Sequence, residues 1–93
     1  MKTIFKYELF KGKSTDDKVG VYLPEGAKIL YVQLYEGTVF MWVMHDIPVK
    51  NVILRHFELF GTGWHIDDKN RKHLATCITP AGFVWHIFEN LEG

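Results

Sequence analysis

The stretch Ala27–Asp46, "AKILYVQLYEGTVFMWVMHD", decides the fold class. Apolar residues recur at every second position on both sides of Glu36-Gly37. A period of two belongs to a strand, whose successive side chains point to opposite faces. The pattern sets Leu30, Val32 and Leu34 on one face, and Ile29, Tyr31, Gln33 and Tyr35 on the other. Glu36-Gly37 reads as a hairpin connection, because glycine takes the positive φ that tight hairpin turns require. On the return, Val39, Met41, Val43 and His45 alternate with Phe40, Trp42 and Met44. Both faces are largely apolar, as in a strand covered on both sides.

The same period extends outward. "TIFKYELF", Thr3–Phe10, sets Ile4, Lys6, Glu8 and Phe10 against Phe5, Tyr7 and Leu9. "KVGVYL", Lys18–Leu23, is a short strand stopped by a turn at Pro24-Glu25-Gly26. "NVILRHFELF", Asn51–Phe60, puts Val52, Leu54, His56 and Glu58 opposite Ile53, Arg55, Phe57 and Leu59. Ile53, Phe57 and Phe60 also fit a helical spacing, but β-branched and aromatic content between Pro48 and Gly61 favours strand. "HLATCIT", His73–Thr79, and "FVWHIFE", Phe83–Glu89, complete the set. "KGKSTDD", Lys11–Asp17, is expected to be a mobile loop, and Gly61–Lys72 a long turn region with room for one helical turn at Asp67–Arg71. About seven short strands with short connections predict antiparallel pairing. The expectation is a single all-β domain over residues 1–93, built as a small sandwich or partly open barrel.

Composition bounds the function. A chain of 93 residues is one small domain, near the lower limit for burying an adequate core. Aromatics at 15% allow a compact core and leave some for a binding face or for contacts in a homo-oligomer. Eleven basic residues balance eleven acidic ones, which gives no broad attraction to nucleic acid. The densest basic run, "KNRK", Lys69–Lys72, follows Asp67 and Asp68 and reads as a solvated turn. One cysteine, Cys77, excludes an intrachain disulfide and a multi-cysteine zinc site; within "LATCITP" it reads as a small core hydrophobe. "MKTIFKYELF" alternates apolar with charged residues, unlike a signal peptide, and no stretch has the apolar length of a membrane-spanning helix. A soluble, cytoplasmic protein is expected.

The elements "KTIFKYEL", "VYLPEGAKILYVQ", "FMWVM", "RHFELFGTGWHI" and "GFVWHIFE" occur in this order along nearly the whole chain. The layout resembles a family of small proteins encoded by tailed bacteriophages and prophages. Each element is weak alone; "PEGAKIL", "GTG" and "VWHIFE" together are fairly specific. Where the family pattern has histidine directly after GTG, this chain has Trp64, with His65 next. The resemblance implies phage origin and one β-rich domain, and it brings no activity and no catalytic residues with it. Many small phage proteins block host or defence components by binding without turnover, which by analogy sets the leading expectation here.

Candidate chemistry gathers at "GTGWHIDD", Gly61–Asp68. Gly61, Thr62 and Gly63 have the composition of an anion-binding nest, with the Thr62 hydroxyl as a further donor. No strong helix follows to reinforce it, so the glycines equally suit the end of a strand. Trp64 offers a flat face for stacking or an apolar anchor for a partner. His65 and Arg71 would lend polar support to that surface. His65, Asp67 and Asp68 are metal-ligand types at short spacing, but aspartates are also ordinary turn residues. His45, His56, His73 and His86 read as satisfied or half-exposed strand residues; His56, His65 and His86 would serve as a metal or acid–base set only by converging in space. Ser14 stands alone in a polar loop, and Glu8, Glu58 and Glu89 look outward. The expectation is a non-catalytic protein without cofactor or bound metal that binds a host protein. A sequestrant of a small anionic, nucleotide-type ligand is the alternative, and a metal-dependent enzyme using His65 and Asp67 the last.

Overall fold

The computed structural model describes residues 1–11 and 16–93. The expectation of a mobile loop at Lys11–Asp17, and that for Ser14, fall in whole or part on residues 12–15, outside the described residues. Seven strands follow one another: β1 Lys2–Phe10, β2 Lys18–Pro24, β3 Lys28–Tyr35, β4 Thr38–Asp46, β5 Val52–Gly61, β6 Arg71–Ile78 and β7 Val84–Asn90. They form two antiparallel sheets, β1-β4-β3 and β2-β5-β7-β6. The sheets face each other as a sandwich, with β3 against β6 and β1 approaching β2. They do not close into a barrel. No helix forms among the described residues, Asp67–Arg71 included, so none is long and apolar enough to cross a membrane.

The β3–β4 hairpin turns at Glu36 and Gly37, both at positive φ (48° and 82°), which matches the right-handed twist of the flanking strands. The inner face of β4, Val39, Met41, Val43 and His45, is buried. It packs with Leu23, Val32, Phe57 and Ile87 into one core. The outer face of β4 departs from expectation. Phe40, Trp42 and Met44 are half-buried, and no described element covers them. They join Tyr31 (6.1 Å from Trp42, centroid to centroid) and Lys6, whose ammonium sits 4.7 Å from the Phe40 ring centre.

Three strands slip register by one residue, at Leu9 in β1, Leu30 in β3 and Leu74 in β6. Each slip is a β-bulge, in which two residues oppose one and the alternation changes phase. The bulge in β1 brings Phe10 to the inner side beside Leu9, so both are buried, and Phe10 leaves the face assigned to it. The bulge in β3 turns Ile29 inward opposite Val43 and leaves Leu30 exposed, the reverse of the simple alternation.

Two acids expected to face outward are buried. Glu89 lies on the inner face opposite Phe57. Arg55 donates to its two carboxylate oxygens at 2.6 and 2.7 Å, and to the Ala27 carbonyl at 2.7 Å. Glu58 lies on the outer face under the Gly61–Asn70 connection, paired with Arg71. Charge is tolerated in such places only when paired and hydrogen-bonded. His45 is also buried, stacked on Phe5 at 5.3 Å; its Nδ1–H donates to the Asp46 carbonyl at 3.0 Å, while its Nε2 has no hydrogen-bond partner among the described residues, so the expected satisfied histidine is satisfied at one nitrogen only. Cys77 is buried as expected, and burial pushes its thiol pKa up.

Candidate functional site

The end of β5 builds the site. Gly61 pairs with Trp85 of β7. Having no side chain, Gly61 leaves room that the Trp64 indole fills; a Cβ there would come within 2.7 Å of Trp64 Nε1. The chain reverses through Thr62 and Gly63, the latter at φ 89°, and the Trp64 N–H donates to the Gly61 carbonyl at 3.1 Å. This turn folds Trp64 back over the strand end. Its ring meets Trp85 edge to face, centroids 5.7 Å apart and planes at 74°. Phe83 stacks on Trp85 at 6.5 Å.

The paired indoles line a cleft of about 220 Å³ at the open end of the sandwich. Phe10, Leu34, Val39 and Leu59 line its apolar part, and Lys11, Asp16, Asp17, Gly37 and Thr79 complete it. A shallower surface groove, about 500 Å³, runs along Gly61, Thr62, Trp64, Gly82, Phe83, Val84 and Trp85. Trp64 and Trp85 therefore belong to both. Trp64 is 48% exposed although its ring is seated, so one indole is both anchored and open to a partner.

The connection carrying Trp64 is tied down at several points. Arg71 donates to the two Glu58 carboxylate oxygens at 3.0 and 3.3 Å, to the Asp67 carbonyl at 2.9 Å, and lies 2.7 Å from the Asp67 carboxylate. Its guanidinium sits over the Phe60 ring. The hydrogen bond from Arg71 holds both the Glu58 and the Asp67 carboxyl below the usual range, against burial, and the two acids in turn raise Arg71. Asn70 N–H donates to the Glu92 carboxylate, and Leu91 N–H to the Asn70 carbonyl at 2.9 Å.

A hydrogen-bonded chain crosses the same sheet face. Thr62 Oγ1 meets His86 Nε2 at 2.9 Å, His86 Nδ1 meets Thr76 Oγ1 at 3.1 Å, and Thr76 Oγ1 meets His73 Nε2 at 2.9 Å. Two proton orders satisfy it throughout: Thr62 to His86 to Thr76 to His73, or the reverse. His73 packs edge-on to Phe88, which does the same with Phe60.

Of the residues singled out in the sequence, Gly61 and Trp64 come together at the cleft. The Thr62 hydroxyl is engaged with His86, and the Trp64 N–H with the turn. One donor that a phosphate nest would need, the Trp64 N–H, is thus already occupied. Gly63 is exposed at the turn tip, and His65 is exposed on the connection. Arg71 takes another role from the one expected: its guanidinium is spent on Glu58 and Asp67, bracing the connection from the far side. Among the described residues, no three His, Cys, Asp or Glu side chains gather where a metal ion would sit. His65, Asp67 and Asp68 make no such cluster, nor do His56, His65 and His86. Trp85, Asp16, Asp17 and Thr79 escape a reading of the sequence. Only the Gly61–Trp85 register and the meeting of the two sheets bring them to Trp64.

No curated protein and no solved structure matches the chain. One family model does, over residues 1–93, described as "Domain of unknown function (DUF7352)", and the chain belongs to that family.

Proposed function

We propose that this protein acts by binding, without turnover, and that its anchor site is the Trp64–Trp85 cleft. The observation that carries the proposal is the seating of Trp64. Gly61 vacates the space, a tight turn aims the indole into it, and Trp85 holds it edge to face while half of it stays open. Rigid, partly exposed tryptophans are the residues around which protein interfaces concentrate their binding energy. The cleft, about 220 Å³, is smaller than the roughly 300–1,000 Å³ of sites that enclose whole small molecules. That size supports a side chain of a partner protein as occupant and gives a nucleotide-sized ligand little support. The resemblance of the sequence layout to phage and prophage proteins supports a host-cell protein as the partner, in the cytoplasm, and obstruction of its surface as the effect.

A second copy would find apolar surface on the outer face of β1-β4-β3. Strands about 4.8 Å apart, rising about 3.3 Å per residue, give that face a planar footprint on the order of 450 Å².

Affinity capture from bacterial lysate tests the main reading. A specific host protein should be retained by the wild-type chain and lost with Trp64→Ala, whose strand content stays unchanged by circular dichroism. Equal retention by both baits removes the cleft from the reading. Recovery of nothing at high bait concentration counts against binding altogether.

A further inference from the structure

We infer that the Trp64–Trp85 cleft takes a cationic side chain, the guanidinium or ammonium of an arginine or lysine on the partner, held by the indoles and Asp17. This rests on the reading of the cleft as the anchor site. The cleft combines two kinds of wall. Core-derived Phe10, Leu34, Val39 and Leu59 accept methylene groups, while Asp17 brings an acidic residue to the rim of the same space. The lysine in the lining, Lys11, is 77% exposed in its side chain and leans to Glu8, 4.0 Å away.

Each class of occupant meets these walls differently. An anion meets the like charge of Asp17. A neutral apolar side chain gains contact with the core residues, but on docking it draws water from that aspartate and offers nothing in return. A long basic side chain matches both, its stem on apolar surface and its charged head at the carboxylate. The indoles add to this, because an aromatic face attracts a cation and tryptophan does so best. Their 74° interplanar angle sets two ring planes as adjoining walls, the geometry of a partial aromatic cage. The small volume also suits one extended side chain better than a free multi-ring ligand.

The test is an NMR titration of the full chain, reading the indole N–H signals of Trp64 and Trp85. The probes are Nα-acetyl-arginine amide, Nα-acetyl-lysine amide, and Nα-acetyl-norleucine amide as the neutral chain with a similar stem. At least one cation should bind about five-fold more tightly than norleucine, the effect of a partly exposed cation–π contact. The preference should shrink in Asp17→Asn, an exposed position where loss of folding is not expected. Norleucine binding as tightly as both cations overturns the inference and leaves the anchor site standing. A cation preference undiminished in Asp17→Asn overturns the part given to that aspartate. Indole signals that respond to none of the three probes overturn the inference and the anchor-site reading together.

Discussion

β5 contributes to two arginine–glutamate pairs that lie on opposite faces of one sheet. Inside, Arg55 of β5 reaches Glu89 of β7 and the Ala27 carbonyl, tying two strands to the start of β3. Outside, Glu58 of β5 holds Arg71 of β6, which also grips Asp67. The chemistry is similar and the structural consequence differs. The inner pair joins elements that must meet for the sandwich to form. The outer pair pins an irregular connection to a sheet that exists without it, and that connection carries Trp64. One pair serves the fold and the other serves the site.

Three experiments can break or sharpen this contrast. Glu89→Ala should have the largest effect. It leaves the Arg55 guanidinium inside the sandwich with only the Ala27 carbonyl, and an orphaned buried charge costs about 3 kcal/mol. Urea denaturation measures it. The double change Arg55→Met with Glu89→Leu should recover most of the loss, because neither charge then needs a partner; a double variant as unstable as the single one would show that the pair itself, and not the orphan, carries the stability.

Gly61→Ala comes next. Its new Cβ lies too close to Trp64 Nε1, and the indole, being half open to solvent, swings out. Stability should fall by about 1 kcal/mol, the ordinary scale of a local repacking. The larger sign should be loss of the Trp64–Trp85 coupling in near-ultraviolet circular dichroism. An unchanged spectrum would mean that Trp64 is not seated on Gly61.

The smallest effect is a pH dependence. The Glu58 carboxyl is held below its ordinary value by Arg71. A carboxyl lowered in the folded state stabilises above its unfolded value, about 4.3, and that contribution disappears as pH falls toward the folded value. Glu58→Gln should therefore melt lower than the wild type at neutral pH and show a flatter loss of stability between about pH 5 and 3. Asp67 and Asp46 are shifted the same way, so the profile flattens without becoming level. Identical acid profiles for the two proteins would detach Glu58 from the outer pair.

The succession of about seven strands, the Glu36-Gly37 hairpin and the long irregular connection are legible in the sequence, because period two and glycine or proline stops are local signals. What it hides is non-local. The phase of alternation breaks at Leu9, Leu30 and Leu74, where no glycine or proline marks the bulge. Phe10 and Ile29 change faces as a result. Glu89 looks like a surface residue until a partner 34 residues away is known, and Glu58 until one 13 residues away is. The apolar double face of β4 suggests two covering layers, and the fold supplies one. At the site, Trp64 stands out beside its glycines, whereas Trp85 and Asp17 join it only through strand register and the packing of one sheet on the other.

The bulges also occupy a telling set of positions. The sheets end in four edge strands, β1, β3, β2 and β6, and three of these carry a bulge. The fourth, β2, begins with Lys18 and ends at Pro24, which has no backbone N–H to offer. An edge of even pleat is a template on which another chain can add a strand, and bulges, charge and proline each spoil the template. On the proposed reading, in which the chain obstructs a partner's surface, it would have to be present at least in equal number with that partner. Edges that resist polymerisation let a small aromatic-rich chain accumulate to that level without joining itself into fibres.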